Sequence, residues 1–151
     1  MGGRANAHAE SLVELEKEST SGIEFAGVCD CDEAKRRSAE KVWGERSGHK
    51  IETYDDMRRV LDDDSIDAVT FATPNHWHSL ITIWAAQHGK HVYVEKPMSH
   101  DVVEGRVCVE AQKKYGVVIQ HGTQRRSDAR FAGLHEALKT GKLPRLKIAY
   151  G

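Results

Sequence analysis

Two stretches decide the fold: Asp67-Ala-Val-Thr-Phe-Ala-Thr-Pro-Asn-His-Trp-His78 and Lys90-His-Val-Tyr-Val-Glu-Lys-Pro97. Ala68 to Ala72 is short, apolar and β-rich without clean alternation, the pattern of a strand buried on both faces. Pro74 ends it and biases Thr73 towards an extended conformation. From Trp77 to His88 the apolar positions Leu80, Ile81, Ile83, Trp84 and Ala85 share one broad face, which predicts a helix. Gly89 then stands where a glycine after a helix belongs. His91 to Val94 reads as the next strand, closed by Pro97. Strand, helix and strand at this spacing predict a βαβ unit with parallel strands. Both proline-stiffened polar loops then follow the carboxyl ends of strands, where ligands bind in an open parallel sheet. The pattern predicts one cleft, shaped for something flat and charged.

The same alternation continues on either side. Downstream, His100 to Tyr115 is expected to be helical, with Val102, Val103, Val107, Val109 and Ala111 on its buried face. Gly116 ends it, Val117 to His121 is another strand, and Gly122 to Arg126 a third loop after a strand end. Ser127 to Lys139 reads as a helix closed by Gly141, and Leu146 to Tyr150 as a strand. Upstream, Ile51 to Tyr54 is a short strand, and Asp55 stands where it can cap the helix that follows. Asp32 to Arg46 reads as a surface helix with Ala34, Ala39, Val42 and Trp43 on one side. Ile23 to Cys29 alternates as a strand and ends at Asp30, and Asn6 to Ser19 carries a narrow apolar stripe of Leu12, Val13 and Leu15.

The N-terminal segment reads as the back half of a dinucleotide fingerprint, Gly-x-Gly-x-x-Gly/Ala. Gly2 matches the second glycine, which lets the backbone approach a pyrophosphate, and Ala5 the third position, where a small residue allows close packing. Gly3 and Arg4 lie between them. Asp30 follows Ala5 by 25 residues, near the spacing of about 20 expected for a ribose-binding carboxylate. The first glycine and first strand would precede Met1, so the chain is expected to be a truncated gene or a fragment, marginally folded on its own. Asp30 favours NAD over NADP, because a carboxylate accepts hydrogen bonds from a free ribose diol and repels a 2′-phosphate. Lys35-Arg36-Arg37 is read as a solvated face rather than a phosphate site.

Composition narrows the function classes. The chain has 151 residues, net charge −1, pI near 6.8, 39% apolar and 30% charged residues. A near-zero balance gives no electrostatic case for nucleic acid or an anionic membrane, and no run approaches a membrane-spanning length. Cys29, Cys31 and Cys108 have no framework spacing, which predicts reduced thiols and a cytoplasmic protein. Asp62-Asp63-Asp64 reads as a solvated loop. His76 and His78 diverge at a helix start, so no metal site is predicted.

Thr73-Pro74-Asn75-His76-Trp77-His78 followed by Glu95-Lys96-Pro97 resembles the Gfo/Idh/MocA family (glucose–fructose oxidoreductase, inositol dehydrogenase and relatives). The resemblance implies an α/β, Rossmann-type doubly wound and mostly parallel sheet with helices on both faces, its first strand missing. It implies a nucleotide-binding domain over residues 1–143, with residues 144–151 starting a second α+β substrate domain. The implied activity is hydride transfer between a nicotinamide, NAD rather than NADP, and a sugar, polyol or related carbonyl compound. Hydride transfer needs a group that moves the alcohol proton. Lys96 is the candidate catalytic residue, provided burial or nearby charge tunes it. Glu95 would fix the geometry of cofactor or lysine, and Pro97 would aim the loop. Gly2, Gly3, Arg4, Asp30, Thr73, Pro74, Asn75, His76, Trp77, His78, Glu95, Lys96 and Gln124 are the candidate cofactor-binding residues. Asn75 to His78 would line the nicotinamide side, with Gln124 and Arg125 near the cleft. The family also implies a homo-oligomer. Two alternatives remain: an NAD-dependent glycosidase of the same family, which Trp77-His78 resembles and Lys96 disfavours, and an inactive truncated fragment.

Overall fold

Helices and parallel strands alternate along the chain as the sequence predicts. The computed structural model describes residues 2–18, 20–144 and 147, in two compact units, Met1–His121 and Gly122–Gly151. The first unit runs α1 (Gly3–Glu16), β1 (Gly27–Cys29), α2 (Glu33–Ser47), β2 (Glu52–Tyr54), α3 (Met57–Leu61) and β3 (Ala68–Phe71). After a 3-10 turn over Asn75–Trp77 come α4 (His78–Gln87), β4 (His91–Glu95), α5 (Val102–Tyr115) and β5 (Ile119–Gly122).

The strands form two ladders, β1 with β2 and β3–β4–β5 in that order, and the β1–β2 and β3–β4 pairs are parallel. No strand joins the two ladders among the described residues. The architecture is α/β, with parallel sheets flanked by helices. Each ladder has its own core. Leu61, Ile66, Val69, Phe71, Ile81, Ala85, Val92 and Val94 pack around β3 and β4. Ala9, Val13, Phe25, Val28, Ala39, Trp43 and Ile51 join α1 and α2 to β1. Gly27 packs closely against the β2 backbone. A Cβ built there would stand 2.4 Å from the Glu52 carbonyl oxygen, so the strand pair requires a residue without a side chain.

Several expectations are corrected. The alternating run Ile23–Cys29 enters the ladder only at Gly27, because the Phe25 amide is drawn aside to the Glu16 carboxylate (2.9 Å). β3 is buried on one face only: Val69 and Phe71 point inward while Ala68 and Thr70 are exposed. The cap of α3 is Asp56, not Asp55, since it is the Asp56 carboxylate that accepts the Arg58 amide (2.9 Å). The face of α5 is also different. Val102, Val103, Val107 and Val109 are exposed, at 86%, 71%, 44% and 42%, while Cys108 and Ala111 are buried. Small residues let α5 approach α4 closely, whereas four valines would hold it away. Likewise Ala39 and Trp43 carry the buried side of α2, and Val42 faces out.

The second unit holds a 3-10 turn over Gln124–Ser127 and α6 (Ala129–Lys139), capped by Asp128, whose carboxylate accepts the Arg130 amide. The Arg125 guanidinium lies 5.5 Å from the centre of the Phe131 ring. The expected strand from Leu146 to Tyr150 lies outside the described residues, Lys147 excepted.

Candidate functional site

The turn after β1 is held together by its own neighbours. The Asp30 amide continues the ladder onto the Tyr54 carbonyl (3.1 Å), and an Asp30 carboxylate oxygen accepts the Asp32 amide (3.0 Å). Asp32 then caps α2, accepting from Ala34 and Lys35. Arg36, in the middle of the basic run, reaches back to donate to the Asp30 carbonyl (2.7 Å). That run is therefore not wholly a solvated face, since one of its members shapes the end of β1. Cys29, beside Asp30, has its thiol pushed up to about 11, first by burial and then by Asp56 and Asp30.

The first turn of α1 has no side-chain cap. Gly2, Gly3 and Arg4 are exposed, and a Cβ built on either glycine meets nothing within 4 Å. A groove of about 620 Å³ runs along α1 and α2, lined from Gly3 to Glu10 on the one and from Ala34 to Arg46 on the other.

The end of β4 is built from far away in the sequence. Glu95 is 4% exposed. Its Oε1 accepts from His8 Nε2 (2.9 Å) and lies 3.3 Å from Arg4 Nε, while Oε2 accepts the Lys96 amide (3.3 Å). Burial raises the Glu95 carboxyl, but the His8 ring, the Lys96 amide and the Arg4 guanidinium outweigh it, and the group is held below the usual carboxylate range. The other nitrogen of His8 bonds the Thr70 hydroxyl on β3, and the ring meets Tyr93 edge-on at 5.3 Å. Arg4 and His8 stand four residues apart on one helix face, so both reach the same carboxylate. Neither His8 nor Thr70 stood out in the sequence. The i, i+4 spacing from Arg4 is the signal that could have found His8.

Pro74, Asn75 and His76 are exposed on the loop after β3, and Trp77 is half-buried. His78 behaves differently. It is 1% exposed, with Nδ1 on the Pro97 carbonyl (2.7 Å) and Nε2 on the Thr73 carbonyl (2.9 Å). It stands behind the loops rather than on their surface. The next residue, Ser79, donates to Glu104 (2.7 Å), which also accepts the His100 amide (3.0 Å). The first two residues of α4 thus grip the loop carrying Lys96 and Pro97. The hydroxyl of Thr73 is buried without a partner among the described residues. Lys96 is exposed, so this unit does not supply the burial that the sequence argument asked for. The buried lysine is instead Lys90, 5% exposed, donating to the Asp63 carbonyl (2.7 Å). The Asp63 carboxylate also accepts from Tyr54 and Ser65, and Asp62 lies 3.3 Å from His88, so the acidic triplet is not wholly a solvated loop.

Gln124 and Arg125 open the 3-10 turn of the second unit. No group of three histidine, cysteine or acidic side chains among the described residues could hold a metal, and no helix among them is long and apolar enough to cross a membrane.

Residues 1–123 match the family described as "Oxidoreductase family, NAD-binding Rossmann fold", GFO_IDH_MocA. The chain belongs to the Gfo/Idh/MocA family. Among curated Gfo/Idh/MocA relatives, scyllo-inositol 2-dehydrogenase (NAD(+)) of Bacillus subtilis is 35% identical over 136 residues, covering 90% of this chain and 37% of the relative. Myo-inositol 2-dehydrogenase of Thermotoga maritima is 29% identical over the same length, covering 90% and 38%. This chain therefore spans less than two-fifths of the length of these relatives. A solved structure of a probable dehydrogenase from Thermotoga maritima superposes with a TM-score of 0.78 at 28% identity, covering 94% of this chain and 39% of that one. Scyllo-inositol dehydrogenase from Lactobacillus casei, solved with NAD(H) and scyllo-inositol, shares the fold with a TM-score of 0.81 at 21% identity, covering 95% and 40%.

Proposed function

We propose that this chain is the nucleotide-binding part of an NAD-dependent dehydrogenase acting on a polyol or sugar, with residues 1–143 forming that domain and residues 144–151 leading into a substrate domain. Family membership supports the reaction class, and the inositol dehydrogenases among the relatives support a polyol. The observation that carries the reading is the Arg4–His8–Glu95 cluster. It ties the uncapped first turn of α1 to the residue before Lys96. A helix start whose amides lack side-chain partners suits a pyrophosphate. The space beside Gly2 and Gly3 serves no packing need of the chain itself.

The donor set fits NAD. Asp30 offers a carboxylate to a ribose diol at the end of β1, and the α1 amides offer donors to phosphate. The buried Thr73 hydroxyl offers a polar group beside the loop from Pro74 to Trp77. Bound NAD would supply the hydride acceptor. Lys96 Nζ is the group that would polarise the substrate oxygen and take up the alcohol proton. Glu95 holds the Lys96 amide, and Pro97 carries the carbonyl that His78 grips. We place the protein in the cytoplasm on its three free cysteines.

Calorimetric titration with NAD and NADP tests this. NAD is expected to bind more tightly than NADP, with the preference lost in Asp30→Ala. A folded chain that binds neither nucleotide would overturn the reading.

A further inference from the structure

The two ladders have separate cores, and α1 belongs by packing to the β1–β2 side, where Ala9 and Val13 lie with Phe25 and Val28. Another face of α1 crosses to the second ladder, and there the link is polar. His8 Nε2 bonds the Glu95 carboxylate at the end of β4 (2.9 Å), Nδ1 bonds the Thr70 hydroxyl on β3, and the ring meets Tyr93 edge-on. The side chains of His8 and Glu95 are 15% and 6% exposed, whereas that of Arg4, which reaches the same carboxylate, is 56% exposed. An open guanidinium trades its partner for water at little cost. The ring and the carboxylate stand largely out of water, so each needs the other. A hydroxyl both donates and accepts, so a neutral and a charged ring meet both partners equally, and the link does not depend on charge. Tyr54 and Met57 also join the ladders, by apolar packing against the β3–β4 core. Those contacts belong to β2 and α3, whereas His8 acts on the start of α1 and on the residue before Lys96.

We propose that His8 is a positioning residue, the joint that holds the half of the site built by the start of α1 and Asp30 in register with the half built by Glu95 and Lys96. The ligand that spans the two halves rests on the function proposed above, while the joint itself does not. A dinucleotide is two linked binding groups. The second group adds affinity only while both halves stand at a spacing that the link between the groups can reach. Glu95 carries the effect of the joint onward, since its other carboxylate oxygen accepts the Lys96 amide (3.3 Å). One ring thereby ties β3, the end of β4 and the first turns of α1 to a common point.

The test compares NADH with ADP-ribose, which lacks the nicotinamide, by calorimetry on the wild-type chain, His8→Leu and His8→Gln. The wild type is expected to bind NADH about tenfold more tightly than ADP-ribose. His8→Leu should leave ADP-ribose affinity within about twofold and bring NADH down to the same level. His8→Gln, whose amide can donate to Glu95 and accept from Thr70, should recover most of the difference. Equal losses for both ligands would mean that the ring only supports the fold. That result, an NADH preference untouched in His8→Leu, or no such preference in the wild type overturns the proposal. If His8→Leu does not fold, His8→Asn, too short to meet both partners, takes its place. If the folded chain binds neither ligand, the functional reading fails, and amide exchange decides the joint. Faster exchange in His8→Leu at Ala7–Ala9 and Lys96, with the β1–β2 ladder unchanged, supports it. Unchanged exchange, or equal acceleration everywhere, overturns it.

Discussion

The turn after β1 and the turn after β4 both follow the carboxyl end of a strand, each in its own parallel ladder, yet they are held in different ways. Around Asp30 several contacts lie within a few residues, the Asp32 amide, the Asp32 cap, and Arg36 on the next helix turn, while its amide reaches across the ladder to the Tyr54 carbonyl. Around Glu95, Lys96 and Pro97 they come from α1, the start of α4 and α5, as many as 87 positions away in the chain for the His8–Glu95 bond. The first turn is a local code that positions one acceptor. The second is an assembly, and its geometry depends on at least three elements being docked. In our account the locally coded turn selects the nucleotide, and the assembled turn places the residue that handles the proton.

Breaking the assembled turn should have the largest effect. Glu95→Ala leaves the His8 ring, the Lys96 amide and Arg4 without their shared acceptor. Arg4 is 56% exposed and can turn to water, so the expected loss is about 2–3 kcal/mol, read from the denaturation midpoint. An unchanged midpoint would mean that the cluster is incidental. The pH dependence follows from the same carboxyl. Its folded value lies below the ordinary 4.5, so its contribution is complete above that pH and is lost as pH falls through the folded value. Thermal melts of Glu95→Gln should therefore lose part of the wild-type destabilisation seen on acidification below 4.5.

Gly27→Ala comes next. The new methyl would meet the Glu52 carbonyl at 2.4 Å, and forcing the strands apart is expected to cost about 1–3 kcal/mol. A stability equal to wild type would show that β1 and β2 can part without penalty. Asp30→Ala sharpens the contrast from the other side. Stability should change far less than in Glu95→Ala, by about 1 kcal/mol, as the Asp32 amide loses its exposed acceptor. NAD affinity should drop about tenfold or more. Val103→Ser should do least, within about 0.5 kcal/mol, because the side chain is 71% exposed. A large loss there would restore the valine face of α5 as core.

The same contrast explains what could be read in advance. The order of strands and helices follows from runs such as His91–Val94 and from breakers such as Pro74, Gly89 and Gly116, all of them local signals. The acceptor at Asp30 was legible because its position depends on one strand end. The inner face of α5 was not, because four valines outweighed Cys108 and Ala111 in any count of apolar residues, while close approach to α4 selects the small ones. His8 was invisible for a similar reason: its partners Thr70 and Glu95 are adjacent only once β3 and β4 are paired. His78 was read as a lining residue from its motif, and only the folded chain shows both of its nitrogens turned inward.

The central claim is that these two unlike turns, with the start of α1, build one dinucleotide site. Backbone amide shifts of the labelled chain, followed during addition of NAD, test it most directly. The account predicts that amides at Gly3–Ala5, Asp30–Cys31, Asn75–Trp77 and Lys96 move together and report one affinity. Shifts confined to one of these segments, or none in a folded chain, would contradict it.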